Sequence, residues 1–376
     1  MIGELTIGLL FVLVLVLAAE FVNGWTDAPN AIATVISTRV ISPTKAILMA
    51  AVFNFLGAMS GTAVAATIGK EIVRPEAINL VTVAAAMIAI VIWSTLAWRY
   101  GLPTSESHAL VSGLAGASLA TAGTGALLWE GWQKVLIGIG FSTFLGFGLG
   151  GLVVIAISWL LRRARPGRVE SLFGRLQVLS AAFMAFSHGS NDGQKFVGAF
   201  TLALVVGGVL PAFEVSWKVI LLCSVVMAIG TSVGGWRIIR TLGVRLVKLK
   251  PHQGFAAETG AATAIEIASQ LGIPLSTTHT ISTSIMGVGS VKRLSAVRWG
   301  VVREIVAAWI LTFPVCGAIA WLAATTIKAV LSKDFGSVPA ADLALYGKVL
   351  TVAVVGAIAI SLWWYLRRKN RRPNYS

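Results

Sequence analysis

The chain has 376 residues, of which 56% are hydrophobic and only 12% charged, with a mean hydropathy of +0.84. A soluble domain carries about twice that charged share, so a soluble enzyme of this length is excluded for want of a polar skin. The net charge of +15 would point to a nucleic-acid partner in a soluble protein, but in a membrane protein it points to orientation, and no nucleic-acid partner is expected.

The first apolar run, residues 5–19, has no Lys or Arg before it and no small-residue cleavage site after it, and reads as a retained span. It leads into residues 21–33 (FVNGWTDAPNAIA), a polar, Gly-containing stretch with one Asp that predicts a broken helix. Apolar runs follow over 46–68 and 77–98. Residues 100–116 (YGLPTSESHALVSGLAG) then place a Gly-x-Pro turn, hydroxyls and a His between apolar stretches. This predicts a re-entrant hairpin, because Pro ends the incoming helix and a Ser or Thr just after it can cap the outgoing one. Further runs cover 109–121 and 135–161, and after a basic segment 172–186. Residues 186–199 (FSHGSNDGQKFVGA) repeat the broken-helix pattern. Runs over 196–210, 217–235 and 255–271 lead to a second hairpin at 271–287 (LGIPLSTTHTISTSIMG), and runs over 276–291, 301–330 and 343–366 complete the chain. Several are shorter than the roughly 20 residues a helix needs to cross a bilayer. Cys223 and Cys316 lie inside apolar runs and offer neither a disulfide framework nor a metal-ligand spacing, so no metal site and no cofactor are expected.

These stretches form an internal repeat. Gly24 and Asp27 match Gly189 and Asp192, 165 residues on; Pro103, Ser105, Ser107, His108, Ser112 and Gly116 match Pro274, Ser276, Thr278, His279, Thr283 and Gly287, 171 residues on. With one crossing per broken helix, one per long span and none per hairpin, the first half crosses three times, and an odd number inverts the second half. The predicted fold class is an all-α polytopic membrane protein with two inverted-topology repeats, broken helices and re-entrant helical hairpins. Residues 1–161 form the first inverted repeat, 162–175 a basic cytoplasmic loop, 176–330 the second inverted repeat, 343–366 an additional C-terminal transmembrane helix and 367–376 a basic cytoplasmic tail. Arg39, Lys45 and the basic groups of 162–175, 237–250, 292–298 and 367–372 hold 20 of the 30 Lys and Arg residues. In this scheme all fall on one face, which places the N-terminus outside and the C-terminus in the cytoplasm.

Backbone that leaves the helical pattern at membrane depth is tolerated only where it is buried in protein or lines a watery cavity. Four such interruptions imply a central site, and the hairpin tips, with backbone N–H groups at helix N-termini and clustered hydroxyls, suit an oxyanion such as phosphate. Asp27, Asp192, Glu258 and Glu266 lie in or beside apolar helices, where a carboxylate costs roughly 2.5 to 3.5 kcal/mol. Next to an anion they make sense if they hold a coupling cation or proton. An anion entering a negative-inside cell loses roughly 2.3 kcal/mol per charge per 100 mV, so uptake needs cations in excess. Symport follows.

At this point the chain resembles the inorganic phosphate transporter family over nearly its whole length, in particular its bacterial low-affinity branch. The family's doubled GANDVANA-like motif stands as Gly24 to Ala31 (GWTDAPNA) and Gly189 to Lys195 (GSNDGQK), and its hairpin motif as Gly101 to His108 and Gly272 to His279. The resemblance implies a symporter that imports inorganic phosphate across the plasma (inner) membrane and is not an enzyme. It places Ser105, Ser107, Ser276, Thr277, Thr278, Asn30 and Asn191 at the phosphate and Asp27, Asp192 and Glu258 at the coupling ion. His108, His279 and Lys195 are candidate proton or phosphate contacts, and His188 precedes the second Asp motif with no His counterpart in the first. Asn54, where sodium-coupled relatives often carry Glu, points to protons over sodium as the coupling cation and to a metal-phosphate complex as a substrate form. Glu106 replaces a small hydroxyl residue at the first hairpin tip and Arg99 an aromatic or apolar residue beside it; the two are expected to pair across the turn. Sodium coupling, another oxyanion such as sulfate, an anion channel and, more distantly, an intramembrane enzyme are the competing readings. The sequence leaves dimerisation open, a homodimer included.

Overall fold

The computed structural model describes residues 6–70, 73–74 and 77–334; the helix expected over 343–366 and the tail over 367–376 lie outside the described residues. Thirteen α-helices run through the described part, with no strand among these residues beyond one isolated antiparallel bridge between Val73 and Leu127. In the first half they are α1 (Ile7–Ser37), α2 (Pro43–Ala58), α3 (Ala63–Lys70), α4 (Leu80–Tyr100), α5 (Glu106–Ala122) and α6 (Trp129–Leu160). The second half holds α7 (Pro166–His188), α8 (Gln194–Val206), α9 (Trp217–Val233), α10 (Trp236–Arg240), α11 (Pro251–Gln270), α12 (Thr277–Lys292) and α13 (Trp299–Asp334). Among the described residues five helices are long and apolar enough to cross a membrane, six when the bent pair α9–α10 is taken as one span.

The hairpins form as their turn chemistry dictates. Gly101 and Gly272 end α4 and α11 at φ 72° and 68°, a left-handed conformation that glycine adopts without a Cβ penalty. Ser105 and Ser276 then cap α5 and α12, each side-chain oxygen accepting from the backbone N–H of the His three residues on, at 3.3 and 3.2 Å. The carbonyl of each left-handed glycine is held by a threonine of the other half: Thr241 Oγ1 donates to Gly101 O and Thr67 Oγ1 to Gly272 O, both at 2.8 Å.

The breaks expected at the two Asp motifs take a milder form. Helix α1 runs unbroken through residues 21–33 with Pro29 inside it, and α7 joins α8 through a π-helical turn, Gly189–Gly193. Both segments are surrounded by protein, so their backbone groups stay satisfied within the helix while the side chains carry the polarity. The sharp break lies elsewhere: α9 and α10 meet at 59° across Gly234 and Gly235, where a Cβ on Gly235 would stand 2.8 Å from Trp25 O and 2.7 Å from the Pro29 ring.

Close helix packing uses the glycines of α6. A Cβ on Gly146 would come 2.5 Å from Thr280 O and one on Gly150 2.8 Å from Ser284 O, so α6 lies directly on α12, whereas Gly148 faces open space. Two apolar clusters result. One gathers the N-terminal half of α1 with α4, α5, α8 and α13; the other gathers the C-terminal half of α1 with α7, α11 and α12. Helix α1 passes through both, and its middle turns, residues 23–30, are the polar layer between them. Outward-facing apolar residues such as Phe144, 79% exposed, and Leu160, 74% exposed, form a surface that a soluble monomer would not tolerate.

Candidate functional site

The tips of both hairpins meet the Asp motifs of α1 and the π turn in one buried cluster. Thr278 Oγ1 donates to Asp27 Oδ2 at 3.2 Å, and Asn30 Nδ2, one helical turn on, donates to Thr278 Oγ1 at 2.9 Å. Thr277 Oγ1 donates to Asp192 Oδ2 at 2.8 Å. Lys195 forms an ion pair with Asp192 Oδ1 and donates to Ser107 Oγ and, at 2.8 Å, to the carbonyl of Leu275. Asp27, Asn30, Asp192, Lys195, Ser107, Thr277 and Thr278 are each at most 3% exposed, so the cluster is sealed on every side.

His188 joins it from the end of α7. Its Nδ1 stands 3.0 Å from Asn54 Oδ1, and Asn54 Nδ2 donates to Thr231 Oγ1 at 2.9 Å. The other ring nitrogen, Nε2, faces Asp192 Oδ2 at 3.3 Å. One ligand atom each from Asp27, His188 and Asp192 falls within 4.8 Å of the others, a set able to hold a cation.

The carboxylates outnumber the ammonium. Glu106, at the first residue of α5, accepts from Thr26 Oγ1 at 3.0 Å, and Glu20, one turn before Asn23, accepts from Asn23 Nδ2 at 3.0 Å. Glu20 lies within electrostatic reach of both Asp192 and Glu106. Both are buried, and among the described residues Glu20 Oε1 accepts no hydrogen bond. Four buried carboxylates thus lie within electrostatic reach of one ammonium.

Residues 23–320 match the model of the Phosphate transporter family. The chain belongs to the phosphate transporter family. A protein of Rhizobium meliloti (strain 1021) described as a probable low-affinity inorganic phosphate transporter is 43% identical over 305 residues, covering 81% of this chain and 91% of that protein. One of Bacillus subtilis (strain 168) with the same description is 37% identical over 318 residues, covering 83% and 96%. A solved structure described as the sodium-dependent phosphate transporter shares the fold at a TM-score of 0.74, with 24% identity, over 87% of this chain and all of that one.

Other candidates in this transporter lie outside the sealed cluster. Ser105 and Ser276 serve as the helix caps described above. Asn191 Nδ2 donates to Ser269 Oγ at 2.9 Å and to Ile273 O at 3.3 Å, which fixes the second hairpin turn against the π turn. The rings of His108 and His279 pack edge to face at 4.6 Å, His108 on Phe313 and His279 on Trp309; among the described residues His108 Nδ1 and both His279 nitrogens have no hydrogen-bond partner. Glu266 accepts from Gln270 Nε2 at 2.8 Å on the far side of α11. Glu258 sits in a second polar cluster about two turns along α1 from Asp27, where Thr34 and Ser180 donate to its two oxygens and Gln177 Nε2 donates at 3.2 Å.

The expected Arg99–Glu106 pair does not form. The turn at residues 101–105 joins α4 to α5 and runs from beside α10 to beside α1, so Arg99 closes α4 next to α10 while Glu106 opens α5 next to Thr26. Arg99 is exposed, its carbonyl accepts from Arg237, and it lines a surface cavity with Arg237, Arg240 and Arg245. Sequence reasoning missed Glu20, Thr26, Thr34, Gln177 and Ser180. An acid in the apolar run LAAEFV was a signal for the first; the others are ordinary polar residues whose partners come from distant segments.

Proposed function

We propose that the transporter imports inorganic phosphate together with protons, with the two hairpin tips receiving the anion and the Asp27, His188 and Asp192 groups holding the coupling cation. The observation that carries this reading is the charge count: Glu20, Asp27, Glu106 and Asp192 against Lys195 alone. Ionised together in a buried site these carboxylates would repel phosphate, so protons or cations must neutralise them for the anion to enter. The hydroxyls of Ser107, Thr277 and Thr278 and the N-termini of α5 and α12 supply the donors that an oxyanion needs. The positive clusters favour a plasma-membrane protein with its N-terminus outside and its C-terminus in the cytoplasm, and with its two halves oppositely oriented. Sodium is the second reading, favoured by the likeness to a protein described as sodium-dependent. The absence of an acid at Asn54 and the presence of Lys195 support protons.

The test is phosphate uptake into proteoliposomes with a pH gradient and a sodium gradient imposed separately, each with and without a divalent metal. Accumulation under the pH gradient alone is expected, inhibited by arsenate and not by sulfate. A stimulation by the metal identifies a metal-phosphate complex as the form carried, and failure of both gradients to drive accumulation overturns the symport reading.

Glu258 gives a second test. Its three donors stay bonded if Gln replaces it, because the hydroxyls of Thr34 and Ser180 rotate freely, so Glu258→Gln is expected to cost about 1 kcal/mol of stability. If Glu258 handles a coupling proton, this variant keeps phosphate exchange between labelled and unlabelled pools within about threefold of wild type, yet gradient-driven accumulation falls by roughly tenfold or more. Equal loss of both activities removes Glu258 from the coupling machinery.

A further inference from the structure

Two contacts that the internal repeat makes equivalent differ chemically. In one, Asp27 takes the Thr278 hydroxyl directly, and Asn30 donates to the same hydroxyl. The shifts of 165 and 171 residues carry Asp27, Asn30 and Thr278 onto Asp192, Lys195 and Ser107. There the carboxylate and the hydroxyl do not bond to each other: among the described residues no hydrogen bond joins Asp192 to Ser107, and the Lys195 ammonium stands between them. Its third partner is the Leu275 carbonyl. A carboxylate, a hydroxyl and a carbonyl oxygen are the ligands that a hard cation takes in proteins, and here they converge on a side chain that is 0% exposed.

We infer that Lys195 is a tethered cation, whose ammonium permanently fills the oxygen cage of Asp192, Ser107 and Leu275, so that of two neighbouring cation positions only the Asp27–His188–Asp192 one exchanges with solution. This rests on the phosphate-transport reading of the site and adds its stoichiometry. A bound ion released on the far side draws on the gradient; an ammonium that stays with the protein neutralises Asp192 and attracts the anion but draws on nothing. The chain therefore carries one cation fewer per phosphate than the same site would with a neutral residue at position 195. Asn30 shows what a neutral residue does there: it orders the hairpin hydroxyl through an uncharged donor and brings no positive charge to its Asp. Arg in place of Lys195 would preserve the charge, whereas Asn would make the two halves alike.

The experiment compares wild type with Lys195→Asn and Asp192→Asn/Lys195→Asn, all full length. Phosphate uptake is measured against sodium concentration with choline as replacement, and the melting temperature of each purified protein is measured in the same two salts. In Lys195→Asn the vacated oxygen cage is expected to take sodium, so that the log-log slope of uptake on sodium, near zero in a wild type coupled to protons alone, rises by one, each tenfold fall in sodium costs about a further tenfold in rate, and sodium raises its melting temperature more than that of wild type. The double variant, lacking the carboxylate and the uptake that depends on it, is read by melting alone and gains no stabilisation by sodium, and Lys195→Arg behaves as wild type in its sodium dependence. A well-folded Lys195→Asn whose slope and melting response match wild type overturns the inference, as does a double variant with the same gain. If Lys195→Asn is poorly folded in choline, sodium at high concentration is expected to restore it; no restoration, in Lys195→Gln as well, also counts against the tethered cation. Should wild type move no phosphate at all, the transport reading fails, while the melting response to sodium still reads the cation position by itself.

Discussion

Asp192→Asn is expected to lose phosphate uptake by about 100-fold or more and to lower stability by about 3–5 kcal/mol, because it strands the buried Lys195 ammonium without its counter-charge. For a chain of this size that corresponds to a fall in melting temperature of roughly 4–6 °C. Two other contacts at the same residue go with it: the Asn amide nitrogen cannot accept from Thr277, and the negative charge facing His188 is removed. Asp192→Asn/Lys195→Met removes both charges, leaves no ion unpaired and is expected to recover most of the stability without recovering uptake. The pair of melting curves separates the charge-pairing role from the transport role. If the single variant melts within about a degree of wild type, Lys195 is not held as an ion pair in the bundle.

Gly57→Ala is expected to be nearly as damaging while touching no polar group of the site. A Cβ there would stand 1.9 Å from Phe186 O and 2.8 Å from Ser190 N, and on the facing helix a Cβ on Gly189 would stand 2.1 Å from Asn54 O. These are backbone atoms with no flexible end to yield, so α2 must separate from α7 at the point where the π turn begins. The cost is about 3 kcal/mol or more, read as a lower melting temperature and a poor yield of monodisperse protein. Uptake falls as well, because the separation also draws Asn54 away from His188. Gly148→Ala is the control: nothing lies within 4 Å of its Cβ position, and the gain in helix propensity keeps it within about 1 kcal/mol of wild type, on the stabilising side. Equal behaviour of the two variants would mean that α2 and α7 are not in backbone contact.

The parts of the site that depend on near neighbours along the chain are legible in the sequence itself. A Gly-x-Pro turn followed by Ser specifies where one helix stops and the next begins, because φ at the glycine and the capping oxygen act within a few residues. So Gly101, Ser105, Gly272 and Ser276 stand where the pattern puts them, and Asp27 and Asp192 come together because the repeat places one in each half. The breaks expected at the Asp motifs are overdrawn for the same reason in reverse. Polar residues and a Pro lower helix propensity by amounts that packing on both sides overrides, so α1 stays helical through Pro29 and the second motif yields only by a π turn.

Composition and periodicity determined that this chain is an all-α membrane protein, and two repeated motifs determined its family and the segments that build its centre. Which side chain meets which was decided by the tertiary structure. Arg99 and Glu106 are seven positions apart, yet one faces a surface cavity beside α10 and the other is sealed against Thr26. Lys195 meets Ser107 from the other half, and Glu258 meets Thr34 and Ser180 from helices far away in the chain. The physical reason is that a buried charge is stable only beside a partner, and such partners are assembled by helix packing between distant segments, which local propensity does not encode.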